Sequence, residues 1–267
     1  MATVMGANVA TRVNAAGLRR DLEILDVLAH GPSGRGGPMG VTKVAELVGR
    51  EKSQVSRALS SMAEEGLVER DEQTLGYRLG WRLFALAART LESRLVTIAT
   101  PYLRGVVARV QETTVLCVLR GNDVLTIASE TPSHAFRGVG WEGVAVPAAA
   151  TSAGRVLVSD WDTDAIRAFF TAEKLATAGA HPRIQHPDQL LSEIDNIRTH
   201  GYATVDEEFE HGVVGCSAPV RDFNGRIVAA INITAPKARL GDRLEAAGRF
   251  VVGAAQQLTH RLVNEDS

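Results

Sequence analysis

Residues 41–80 read VTKVAELVGREKSQVSRALSSMAEEGLVERDEQTLGYRLG, and no other stretch of the chain restricts its fold as tightly. Val44, Ala45, Leu47 and Val48 fall at helical spacing, and Gly49 then supplies the positive-φ residue that ends a helix and turns the chain. In the next segment Val55, Ala58, Leu59 and Met62 stand at i, i+3, i+4 and i+7, so a second helix buries that stripe and turns Ser53, Arg57, Ser60 and Glu64 outward. After Gly66, Leu67-Val68 and Tyr77-Arg78-Leu79 flank a polar turn over residues 71–74, which reads as a two-stranded ribbon. Residues 18–29 place Leu18, Leu22, Leu25 and Leu28 on one face and supply a third helix. Helix, helix, turn, helix and ribbon in this order spell a winged helix-turn-helix over residues 17–80.

Double-stranded operator DNA is the partner this module suggests. A small, polar outward face lets the second helix of the motif sink into the major groove, where Lys52, Ser53, Gln54, Arg57 and Ser60 reach bases or phosphates. Arg78 on the wing is a further phosphate contact, and Gln54 has the chemistry to read adenine. Glu64 and Glu65 lie at the far end, where a docked helix clears the phosphates, whereas Glu51 at the near end favours the helix dipole but repels DNA. Residues 31–40, GPSGRGGPMG, form a loop; with no strand before them and no Gly-Lys-Ser/Thr after, they are not a phosphate-binding loop. The alternative is a small-molecule sensor whose winged helix docks another protein.

Length and charge organise the remainder. A chain of 267 residues with 45% hydrophobic content suits two domains. Residues 1–97 carry 13 Lys plus Arg against 11 Asp plus Glu, the rest 16 against 20, so the excess positive charge lies with the motif. No apolar run approaches the roughly 20 residues of a membrane span, and the first residues lack the apolar core of a secretory signal, so a cytoplasmic protein is expected. Cys117 and Cys216 stand apart, without metal-ligand spacing.

Residues 1–16 are expected to be a disordered tail and residues 81–97 a linker helix for dimerisation, with Leu83, Leu86, Ala87, Thr90 and Leu91 along one sticky stripe. Pro101 begins or interrupts the next helix, the first of a second domain over residues 98–267. Residues 114–119 and 124–129 flank one hairpin turn, and Asn224-Gly225 marks another between residues 212–223 and 226–234. Helices are expected at 151–158, 164–170, 187–200 and 242–263, the last burying Leu244, Ala247, Val251, Ala254, Leu258 and Leu262. The fold class is α+β, helices on an antiparallel sheet. Thr151, Ser152, Ala153 and Gly154 open a helix with small residues, which leaves backbone N–H groups free for a carboxylate.

Three blocks carry a resemblance: SQVSRALSSMAEEGLVER with YRLGWRLFALA, then PAAATSAGRVLV, then IRTHGYATVDEEFEHGVVGCSAPVRDFNGRIVAAINITAP. In that order, across residues 18–262, they resemble the IclR family of bacterial transcriptional regulators. The resemblance implies a winged helix-turn-helix, a dimerising linker helix and a GAF-like domain that binds a small effector, often an organic or aromatic acid, in dimers or dimers of dimers. It implies effector contacts at Ser152, Ala153, Asn232 and Thr234. It also implies an acid and a cysteine, for which Asp206 and Cys216 are the nearest residues; in register the two positions fall on Val205 and Gly215. One residue along a strand changes the face.

Enzyme chemistry is not indicated. Asp206, Glu207, Glu208, Glu210 and His211 lack a second histidine at metal-ligand spacing, so this charge run is expected to be a solvated turn, with neither metal nor cofactor. A Cys216–His211 nucleophile lacks a recognisable orienting group, and GCSAP lacks the closing glycine of a nucleophile elbow. The chain is therefore expected to be a ligand-responsive regulator, with repression as the default sign.

Overall fold

A computed structural model describes residues 3–31, 37–133 and 141–265, without the side chains of 3–15 and 265. It divides into two compact units, Met1–Ser93 and Arg94–Ser267. Only residues 1–2 of the expected disordered tail lie outside the described residues; from Thr3 onward the chain is helical instead, and residues 32–36, half of the glycine-rich loop, also lie outside the described residues.

In the first unit α1 (Thr3–His30), α2 (Val41–Val48) and α3 (Lys52–Glu64) pack around Ile24, Leu28, Val44, Val55, Leu59 and Met62. Gly49 closes α2 at φ 65°, as its position after the apolar stripe requires. The wing pairs β1 (Val68–Arg70) with β2 (Tyr77–Leu79) in antiparallel register, Glu69 opposite Arg78, and Met39 adds an isolated bridge to Tyr77. One expectation for α1 fails. Leu28 is buried, but Leu18 and Leu22 are 64% and 50% exposed, and Ile24 takes the inner position instead. Ile24 and Leu28 are four apart and share a face; the heptad-like leucine stripe drifts round the helix away from the core.

The linker also differs from the single helix expected. α4 (Trp81–Ala87) stops at Ala88, and α5 (Leu91–Val110) begins three residues later. Thr90 Oγ1 donates to Ala87 O while accepting from Ser93 N, which closes one helix and opens the other. Pro101 sits inside α5 and does not end it. Thr100 Oγ1 bonds back to Val96 O in the turn that precedes it.

The second unit is built on a six-stranded antiparallel sheet. Its strands are β3 (Thr113–Arg120), β4 (Asp123–Glu130), β5 (Ala145–Pro147), β6 (Ala203–Asp206), β7 (Val213–Arg221) and β8 (Ile227–Pro236), in the order β5-β4-β3-β8-β7-β6. Alternation along the strands separates two cores. Leu116, Cys216, Ala218, Ile231 and Ile233 face α5 and the long α11 (Leu244–Glu265), which follows α10 (Lys237–Leu240). Val115, Cys117 and Ala230 face α6 (Ser152–Leu157), α7 (Thr163–Phe169), α8 (Ala172–Ala176) and α9 (Pro187–His200). Among the described residues, no helix is long and apolar enough to cross a membrane.

Candidate effector cavity and DNA-reading face

The inner face of β7 and β8 carries a largely buried polar cluster. Ser217 stands opposite Asn232 across the two strands, and Gly215 opposite Thr234. Above them lies α6, whose N-cap Thr151 accepts from Gly154 N over 3.0 Å. Gly154 has to be glycine: a β-carbon there would sit 2.0 Å from Ala148 O. This close approach seats Ser152 on the sheet, its Oγ 2.9 Å from Ser217 Oγ. Asn232 Nδ2 donates to Ser217 Oγ (2.8 Å) and Ser152 Oγ (3.1 Å).

A cavity of about 70 Å³ opens beside this cluster. Ser152, Ala153, Asn232 and Thr234 all line it, together with valines from β3 to β7 and the rings of Trp141 and Phe209. The two rings approach to 6.3 Å between centroids. Sequence reasoning missed Trp141 and Phe209 because neither falls in a periodic element. It missed Ser217, fully buried beneath the cluster, although Ser217 shares strand parity with Gly215.

Two expected effector contacts are off the cavity. Cys216 belongs to the core against α11, on the other side of the sheet, and burial pushes its thiol up to about 12. Asp206 is exposed and pairs with Lys237 at 2.9 Å. Their neighbours Val205 and Gly215 line the cavity instead and stand opposite each other in register. The single-residue shift in each motif carries the acid and the thiol to the opposite faces of β6 and β7. Burial also raises the Cys117 thiol at the cavity wall to about 12, with a smaller opposing effect from Thr126, so neither cysteine offers a thiolate.

The acidic run after β6 is not simply a solvated turn. Glu208 is buried and forms a two-pronged pair with the fully buried Arg155 of α6, Arg155 Nη1 donating to Oε1 over 3.1 Å and Nη2 to Oε2. Arg183 Nε adds a bond to Oε1 at 3.2 Å. Burial pushes the Glu208 carboxyl up, but the hydrogen bonds and charge of Arg155, then those of Arg183, outweigh it and hold it below its ordinary value. Ala180 N and His181 N donate to the carbonyls of Phe209 and Glu208, fixing the backbone beside the Phe209 wall. Half-buried Glu207 is held low chiefly by Lys237, and His211 pairs with it at 3.1 Å. Among the described residues, no cluster of His, Cys, Asp and Glu could hold a metal ion.

On the first unit, Val55, Leu59 and Met62 are buried while Lys52, Ser53, Gln54, Arg57 and Ser60 are all exposed on α3. Glu51 occupies the N-cap without a side-chain cap bond. On the wing, Arg78 is tied to Glu69 at 3.1 Å, and Glu69 in turn accepts from Trp81 N.

These two arrangements match known domain families. Residues 17–72 match the IclR helix-turn-helix domain, and residues 88–260 match the bacterial transcriptional regulator IclR C-terminal domain. The chain belongs to the IclR family of bacterial transcriptional regulators. It is 28% identical to the Pca regulon regulatory protein of Pseudomonas putida over 216 residues, 79% of this chain and 73% of that protein. To the transcriptional repressor IclR of Escherichia coli it is 26% identical over 246 residues, 91% of this chain and 88% of that one. An IclR homologue from Microbacterium hydrocarbonoxydans, solved in complex with 4-hydroxybenzoate, shares the fold with a TM-score of 0.75 at 24% identity, covering 92% of this chain and 98% of that one. The Thermotoga maritima IclR structure shares it with a TM-score of 0.70 at 23% identity, over 93% and 99% of the two chains. This IclR-family protein therefore carries a DNA-binding helix-turn-helix and a C-terminal effector-binding domain, and its homologues are regulators rather than enzymes.

Proposed function

We propose that this IclR-family regulator is a repressor that binds a pseudo-palindromic operator as a dimer, and that a small organic acid in the C-terminal cavity modulates that binding. Lys52, Ser53, Gln54, Arg57 and Ser60 face the major groove, with Arg78 on the wing. The effector's polar head meets Ser152, Asn232 and Thr234, and its body lies along the valines, Trp141 and Phe209. Asp206 and Cys216 take no part.

The observation that carries the effector reading is the make-up of the cavity, with a hydrogen-bonded polar cluster at Ser152 and Asn232 and walls that are mostly apolar, broken only by threonines. A site of that design orients a molecule with a single polar group on an apolar body. The 4-hydroxybenzoate bound by the Microbacterium homologue likewise sets a carboxylate on an aromatic ring, with a second polar group, a hydroxyl, at the far end. Dimerisation finds support in the apolar side chains left open on and after α4: Trp81, Phe84 and Leu91 are 66%, 78% and 73% exposed. Repression is the sign carried by the name of the Escherichia coli relative. Effector binding then shifts the population between arrangements that do and do not present two DNA-binding heads at operator spacing.

The test is fluorescence anisotropy of DNA from the protein's own upstream region against scrambled DNA, across a salt series, with 4-hydroxybenzoate, benzoate and pyruvate added in turn. Preferential, salt-sensitive binding that one of these acids changes supports the reading. Binding that ignores all three refutes the acid effector, and equal weak affinity for both DNAs points to a protein-docking sensor.

A further inference from the structure

Four cations of the helix-turn-helix unit are already spent on its own acids. Lys43 pairs with Glu46 at 3.2 Å, Arg78 with Glu69 at 3.1 Å, Arg50 with Glu23 and Arg82 with Glu65. On α3 the situation is the reverse. Lys52 and Arg57 are exposed and form no ion pair or hydrogen bond among the described residues, and neither does the side chain of Gln54. Positions 53, 54, 60 and 61, the helical neighbours of Arg57, are Ser, Gln, Ser and Ser, so no acid lies within one turn to neutralise it.

Gln54 and Arg57 stand three residues apart, on one side of α3. Three residues advance about 4.5 Å along a helix, little more than the rise of one base pair. Lys52 projects from a different side, at the flank of this face. Each side chain has a distinct reading chemistry. A glutamine amide matches the donor and acceptor of adenine N6 and N7; a guanidinium matches the two acceptors of guanine, O6 and N7; an ammonium is a point charge for a phosphate.

Resting on the reading of α3 as the helix that enters the major groove, we infer that Gln54 and Arg57 determine operator specificity. Gln54 selects an A·T pair and Arg57 a G·C pair at adjacent or next-adjacent positions of each half-site. Lys52 holds the backbone and carries no sequence information. Arg78, bound to Glu69, adds little to discrimination.

The test is selection from a pool of duplexes randomised at their centre, using the full-length protein and its Gln54→Ala, Arg57→Ala and Lys52→Ala variants, all at exposed positions that leave the core untouched. The wild type is expected to enrich half-sites with neighbouring A·T and G·C pairs. Gln54→Ala should flatten preference at the A·T position alone and Arg57→Ala at the G·C position alone, each losing about tenfold discrimination. Lys52→Ala should weaken all sequences alike and reduce the salt slope by about one. Preferences that survive both base-reading substitutions, or affinity that falls uniformly in them, overturn the inference while leaving DNA binding intact. If the wild type enriches no sequence at any salt, the inference falls together with the reading of α3 on which it rests.

Discussion

Arg155 and Glu208 meet inside the C-terminal unit as a charged fork on a carboxylate, their side chains 1% and 5% exposed. Arg155 lies on the helix that brings Ser152 and Ala153 to the cavity, and Glu208 directly precedes Phe209, which walls it. The pair thus ties together two sides of the cavity that are distant in sequence. Removing Glu208 leaves the Arg155 guanidinium buried without an acid partner, whereas Glu208 would still keep Arg183 if Arg155 were removed. Glu208→Ala is therefore expected to destabilise the protein by about 3–5 kcal/mol, and Arg155→Met with Glu208→Leu to recover most of that loss. Denaturant midpoints of the three proteins check this; a double variant no more stable than Glu208→Ala would show that packing, not charge, is at stake.

The same carboxyl links stability to pH. Its value is depressed in the folded protein, so the stabilisation is fully present above the unfolded value near 4.5 and is lost as pH falls through the lower folded value. Wild-type stability should fall steeply with acidification below about pH 4.5, and the pair-free double variant should show a shallower slope there. Measurement at high salt screens the more accessible pairs of Glu207 and Asp206 with Lys237, leaving the buried pair to dominate the difference. Parallel slopes in the two proteins would assign acid sensitivity to other groups.

Periodicity made much of this legible in advance. The buried stripe of α3 at Val55, Leu59 and Met62, the hairpin at Asn224-Gly225 and the bounds of α9 all follow from local spacing and turn chemistry. The cavity positions Ser152, Ala153, Asn232 and Thr234 came from the family resemblance, and parity explains why Gly215 faces inward and Cys216 does not. Long-range pairing was not legible. Nothing near Glu208 in sequence announces Arg155, 53 residues earlier, so a run of acids read as solvated. The break at residues 88–90 was equally hidden, since an apolar stripe continues across it and the Thr90 bonds that end α4 are a matter of three-dimensional geometry.

Gly80 offers a way to damage one unit without the other. It lies at the foot of the wing, where its N–H donates to Leu67 O over 2.8 Å, and a β-carbon there would meet Gly66 O at 2.3 Å and Leu67 C at 2.9 Å. Both neighbours are backbone and cannot swing aside. Gly80→Ala should thus cost about 1–3 kcal/mol, the usual penalty of overpacking, and weaken DNA binding, while ligand binding by the C-terminal domain persists. Amide hydrogen exchange locates the effect: faster exchange in β1 and β2 with β7 and β8 unchanged is the expected pattern, and uniform acceleration contradicts it.

The apolar side chains around the helix break lead to a prediction about assembly. Phe84 and Leu91 are 78% and 73% exposed, so replacing them removes almost nothing from the core of the chain that carries them. A two-fold dimer that covers them buries four such side chains, each contributing about 1.5–3 kcal/mol, so Phe84→Glu with Leu91→Glu should raise the dimer dissociation constant by roughly four orders of magnitude or more. Sedimentation equilibrium reads that change directly. Operator affinity should fall with it, because two helix-turn-helix units on one dimer share a single loss of translational freedom that separate monomers incur twice. A variant that stays dimeric would move the interface to another surface, whereas one that turns monomeric yet binds the operator as tightly would sever assembly from DNA recognition.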